Sequence, residues 1–100
     1  MHWHGIRQTL SNNMDGAVGV TQVAIKVGET FTYDFLVDGA GTFWYHAHFM
    51  TQYMQGMRGA LIIKDPEETM YSNRIMMLAD WYHQVNTEDY PSLADFKLSL

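Results

Sequence analysis

The sequence predicts an all-β fold, and three observations carry that expectation. Residues 30–37 alternate, with Phe31, Tyr33, Phe35 and Val37 on one face and Thr32, Asp34 and Leu36 on the other, the period of a half-buried strand. Residues 20–27 are rich in β-branched side chains and close at Gly28. Two further stretches, Met1-His2-Trp3-His4-Gly5 and Phe43-Trp44-Tyr45-His46-Ala47-His48, place histidine at every second position, and Asp15-Gly16 and Asp38-Gly39 mark turns between them.

The first element is the extended stretch around His2 and His4. Side chains two apart on a strand share a face about 7 Å apart, so each His-x-His pair can offer two imidazoles to one cavity. Were the two pairs on neighbouring strands about 5 Å apart, four imidazoles would converge on a space suited to two or three metal ions. One pair alone carries little weight, because residues two apart share a strand face by default. Here two pairs hold four of the five histidines. A closed tetrahedral zinc is the weaker reading, since structural zinc sites usually include thiolate and the chain has no cysteine. Copper is the first hypothesis, although residue type alone also admits zinc, iron or nickel.

Residues 6–19 are polar and punctuated by glycine, a loop in which Asp15 reads on its own as a turn aspartate capping neighbouring backbone. The runs 20–27 and 30–37 follow as strands, and Asp38-Gly39 with Gly41 turns the chain into the second histidine strand. There Trp44 and Tyr45 pack against or shield the histidine cavity. Met50, Met54 and Met57 recur at helical spacing, a pattern that ordinarily fills core, although thioethers also bind cuprous ion. Residues 59–64 form another strand. The acidic, proline-marked run Asp65-Pro66-Glu67-Glu68-Thr69 reads as a linker, residues 74–84 alternate again, and residues 91–100 suit a short helix.

A chain of 100 residues makes one small domain, able to bury roughly 60 to 65% of its unfolded surface. With 47% apolar and 17% charged residues it has the composition of a globular protein. A net charge of -5 and only six basic residues argue against nucleic acid and anionic membrane as partners, both of which need clustered Lys and Arg. No apolar run reaches the length of a membrane span, and the first residues do not resemble a signal peptide. The lack of cysteine removes any disulfide and the thiolate that a blue-copper site requires.

The words His2-Trp3-His4-Gly5-Ile6-Arg7-Gln8, Met14-Asp15-Gly16, Gly19-Val20-Thr21-Gln22, Gly41-Thr42-Phe43-Trp44-Tyr45-His46-Ala47-His48, Gly56-Met57-Arg58-Gly59 and Asp80-Trp81-Tyr82-His83 stand in the order found in multicopper oxidases. They most resemble the fungal laccase and ferroxidase branch, over nearly the whole chain. The resemblance implies a cupredoxin-like Greek-key β-sandwich or barrel. Residues 1–66 would be part of the first plastocyanin-like (cupredoxin) domain, and residues 67–100 the linker and the start of the second.

It also implies copper as cofactor. His2 matches a type 2 ligand, and His4, His46 and His48 match type 3 ligands of a trinuclear cluster whose other four ligands come from a later domain. The type 1 blue copper lies in that later domain too. In the family, the acid of the Met-Asp-Gly word, here Asp15, stands behind the copper ligands and helps deliver protons to bound oxygen. Val23 occupies a position where the family commonly has a disulfide cysteine. His83 is not a family ligand and is expected to hydrogen-bond backbone.

The implied activity is oxidation of a phenol, ferrous ion or similar donor one electron at a time, with dioxygen reduced to water. Partners would then be dioxygen, that donor and the remaining cupredoxin domains, and family members are often secreted. Met1 falls directly against His2, leaving a ligand strand without the earlier strands that cover its edge in a cupredoxin barrel. The chain therefore reads as a fragment, incomplete at its N-terminus and inactive alone. A non-catalytic copper-binding module and an inactive truncated product are the alternatives.

Overall fold

A computed structural model of the chain describes residues 1–67 and 72–83. Regular structure among them is an antiparallel sheet of β1 (His2–His4), β2 (Gly41–His46) and β3 (Arg58–Ile63), in that spatial order, with a 3₁₀ turn at Asn12–Met14. β2 takes the centre because its Thr-Phe-Trp-Tyr run suits a pleated surface covered on both sides.

The register sorts every side chain onto one of two faces. His2 pairs with His46, His4 with Trp44, Trp44 with Ala60, and His46 with Arg58. Directly opposed residues share a face, so this face carries the histidines together with Trp44, Arg58 and Ala60. The other face carries Trp3 opposite Tyr45, Tyr45 opposite Gly59, and Phe43 opposite Leu61. Trp3 packs there against Tyr45, Tyr33 and Phe35, with ring centroids 5.8, 5.3 and 5.4 Å away. Gly59 leaves room for the Tyr45 ring, which a Cβ would overlap.

The loop between β1 and β2 is tied to β1 at one close approach. Gly16 is buried, has φ +82°, and lies so near the Met1 carbonyl and His2 Cα that a side chain there has no space. That approach lets Trp3 N–H donate to the Asp15 carbonyl at 3.4 Å. Buried Gln8 holds the start of the loop, accepting from Ser11 Oγ at 2.8 Å and donating to the Met14 carbonyl at 3.4 Å.

Several expected elements take another form. Residues 20–27 are not a strand: Val20, Thr21 and Gln22 all donate their amides to the Ala17 carbonyl, which spends the backbone in a turn. The pairing there is an isolated bridge between Val18 and Gln22, and Val20, Val23 and Val27 are at least 83% exposed. Residues 30–37 do alternate in burial, with Tyr33 and Phe35 half-buried and Thr32, Asp34 and Leu36 exposed, but no strand pairs with them among the described residues. The methionine stripe is not a helix. Residues 50–56 are successive turns, Met50 has φ 48°, and Met50 and Met57 are exposed rather than core.

Residues 74–83 are likewise exposed and in no strand. They face the sheet across an open cleft between Trp44, Ala60 and Ile62 on one side and Ile75 and Leu78 on the other, and the Asp80 carbonyl accepts from Arg58 Nη2 at 3.4 Å. His83 is exposed, and among the described residues no backbone hydrogen bond is seen for it. The expectations for Glu68, Thr69, Gln84 and residues 91–100 fall outside the described residues.

Candidate metal centre

All four histidines of the two pairs meet on the β1–β2 face. The His2 ring centroid lies 5.5 Å from His4, 5.3 Å from His46 and 5.5 Å from His48. His46 in turn lies 5.5 Å from His4 and 6.2 Å from His48. The rings thus form two triangles sharing the His2–His46 edge, the pair that the strand register sets directly opposite. One ligand atom from each of His2, His4 and His46 falls within 4.8 Å of the others, a spacing that admits one ion between them. His48 stands beside that triplet, two residues past the end of β2.

Backbone carbonyls set the tautomers of two rings, as assigned from their partners. His2 Nδ1–H donates to the Asp15 carbonyl at 2.6 Å, and His46 Nδ1–H donates to the Ala47 carbonyl at 2.8 Å. Each ring thus carries its lone pair on Nε2, the form in which imidazole binds metal. His46 Nε2 lies 3.2 Å from His4 Nδ1, so in the neutral molecule His4 Nδ1–H donates to it. Burial, with the charges of His2, His4 and His48, holds the His46 pKa below the ordinary histidine value against the raising effect of the Ala47 bond. A donor set of imidazoles with three ligand atoms within 4.8 Å of one another fits a copper ion.

Aromatic rings pack along one side of this cluster. Trp44 stacks on His4 at 4.9 Å and 27°, and lies 4.5 Å from His46. Tyr53 meets His46 edge-on at 5.0 Å and carries the Arg58 guanidinium over its own ring at 5.5 Å. The expected packing of Trp44 against the histidines is therefore seen, while Tyr45 points to the opposite face. Tyr53 was not legible as a neighbour of the site, because it arrives from the turns after β2.

Asp15 lies behind His2 and contributes through two groups. Its carbonyl holds the His2 ring, and its carboxylate Oδ1 accepts from Ala17 N–H at 3.1 Å and Thr21 Oγ1 at 2.5 Å. Burial alone would raise its pKa, but the Thr21 and Ala17 hydrogen bonds and the nearby His2 and His48 hold it below the ordinary carboxylate value. The turn-capping reading of Asp15 is thus realised. The signal for Thr21 lay in the Gly19-Val20-Thr21-Gln22 word, without its partner.

Sheet and cluster define an all-β, cupredoxin-like segment that presents a polyhistidine centre on one face. The sequence model of the multicopper oxidase family matches residues 1–68, and the chain belongs to that family. Membership implies copper as the metal. The chain is 48% identical over 91 residues to Laccase-5 of Trametes versicolor, covering 83% of this chain and 17% of that protein. It is 45% identical over 87 residues to the iron transport multicopper oxidase fetC of Epichloe festucae, covering 83% of this chain and 14% of that one. Among solved structures, the Blue Copper Oxidase of Nitrosomonas europaea superposes with a TM-score of 0.60 at 43% identity, over 67% of this chain and 23% of that chain. The chain thus spans well under a quarter of the length of its curated relatives.

Proposed function

We propose that this chain is the part of a laccase-like multicopper oxidase that supplies half of the histidine ligands of a trinuclear copper cluster. His2 would serve a type 2 copper, and His4, His46 and His48 the type 3 pair, with the remaining ligands and the type 1 copper on a later domain. Residues 1–66 would belong to the first cupredoxin domain and residues 67–100 to the linker and the start of the second. The observation that carries this reading is the His2–His46 register, with both Nδ1 atoms tied to backbone carbonyls and the lone pair of each ring therefore on Nε2.

Copper held by these histidines would supply the one-electron chemistry for reducing dioxygen to water with electrons drawn from the donor. The chain's own residues prepare that place. The carbonyls of Asp15 and Ala47 orient two imidazoles, and Trp44 covers the His4 and His46 rings and excludes water from that side. His4 carries its proton on Nδ1 while it faces His46, and releases that atom as a ligand by carrying the proton on its Nε2 instead. Asp15 would move protons toward the oxygen site through a carboxylate held in the charged form.

The donor is a phenol in this reading. Ferrous ion is the second reading, favoured by 45% identity to an iron transport multicopper oxidase. The protein would work outside the cell. The test is the intact protein: copper per chain, blue absorption, and oxygen uptake with a phenol and with ferrous ion. An intact protein that holds no copper, or whose His2→Ala and His46→Ala variants hold as much as the parent, would sink the proposal.

A further inference from the structure

The geometry points to Thr21 as a positioning residue for the His2 imidazole, acting through the Asp15 turn. The inference rests on the reading of His2 as a copper ligand. His2 Nδ1 is held at 2.6 Å by the Asp15 carbonyl, and the same carbonyl accepts from Trp3 N–H at 3.4 Å. Any swing of this carbonyl would therefore release the ring as well as the strand that bears it.

What fixes the carbonyl is the closure of the turn that follows it. Two donors meet on Asp15 Oδ1, the Ala17 amide at 3.1 Å and the Thr21 hydroxyl at 2.5 Å. The hydroxyl has one proton to give, and the Ala17 carbonyl, at 3.3 Å, is the poorer acceptor. Thr21 is itself anchored by its amide, which donates to the Ala17 carbonyl at 2.9 Å. Its hydroxyl thus reaches Asp15 from a backbone already held. A hydrogen bond to a charged carboxylate is stronger and more directional than a neutral one, so this contact fixes the rotamer of Asp15 and with it the turn. The chain of contacts runs from the Thr21 hydroxyl through the Asp15 carboxylate and peptide to His2 Nδ1, and leaves the lone pair of the ring on Nε2.

The experiment uses the intact protein with Thr21→Val, Thr21→Ala and Thr21→Ser beside His2→Ala. In metal-free protein carrying ¹⁵N-histidine, the parent and Thr21→Ser should show His2 as a single Nδ1–H tautomer, while Thr21→Val and Thr21→Ala show a mixture. With copper bound, the latter two should release it to a competing chelator with affinity lowered about 10- to 100-fold, the usual effect of losing a group that orients a ligand, and Thr21→Ser should hold it as the parent does. The alanine and serine pair carries the test if the valine variant does not fold.

Parental tautomer and copper affinity in the variants without the hydroxyl, whatever their melting temperatures, would overturn the inference and leave Thr21 a turn stabiliser. His2→Ala keeps the two claims apart. Full copper retention in that variant refutes the ligand reading itself, whereas copper loss in His2→Ala with parental retention in Thr21→Val refutes only the positioning role.

Discussion

Replacing Gly16 by alanine should unseat the first histidine strand. A Cβ at this position would fall on the Met1 carbonyl and lie 2.9 Å from His2 Cα, and both are backbone atoms that cannot rotate aside. The residue also sits at φ +82°, where an L side chain costs about 1 to 2 kcal/mol. Strand and turn must then separate, weakening the two hydrogen bonds that meet on the Asp15 carbonyl, at about 1 kcal/mol for the shorter and less for the longer. The sum is about 2 to 4 kcal/mol, a large part of the roughly 5 to 15 kcal/mol that holds a typical domain folded.

The assay is denaturant unfolding of the intact protein together with copper per chain, and both should fall. Gly19 supplies the control. It has φ +84° but no atom near its Cβ direction, so Gly19→Ala should show the backbone strain alone and keep its copper. Gly16→Asn separates the causes further, because asparagine tolerates the left-handed region yet still carries a Cβ. Parental copper and stability in Gly16→Asn would refute the argument from close approach.

Replacing His46 or His48 by alanine in the intact protein should abolish reoxidation by dioxygen while the blue copper is still reduced by donor, whereas exposed His83→Ala should stay within about 0.5 kcal/mol of the parent and keep its copper; stopped-flow reoxidation and metal analysis check both. Gly59→Ala should destabilise by about 1 to 3 kcal/mol, because its Cβ overlaps the Tyr45 ring that packs on Trp3, and an unchanged unfolding midpoint would contradict the packing described. Trp44→Ala should retain copper but lower its affinity, since the rings of His4 and His46 lose the surface that orients them; chelator competition gives the measurement, and parental affinity would deny Trp44 that role.

The sequence by itself determined the class of the fold, the family and the four histidines of the centre. This information is local: alternation assigns a strand face, and His-x-His spacing puts two imidazoles on that face whatever the partner strand does. Asp15 as a turn aspartate was legible for the same reason, since Asp before Gly closes its own backbone. The runs 20–27 and 30–37 were misread or half-read because strand formation needs a partner. Apolar alternation brought Tyr33 and Phe35 inward against Trp3, yet no ladder formed among the described residues, and the backbone of residues 20–22 turned onto the Ala17 carbonyl instead.

Only the tertiary structure decided which residues oppose one another. A shift of one residue in the pairing of β1 with β2 would set His2 opposite Tyr45 or Ala47 and send the two histidine pairs to opposite faces, and nothing in either stretch alone excludes it. The observed register sets His2 against His46, and β1 itself is held from outside the strands by Gly16 and the Asp15 carbonyl. The tautomer of His2 and the stacking of Trp44 on His4 were decided there too, because each depends on a contact between residues far apart in the chain.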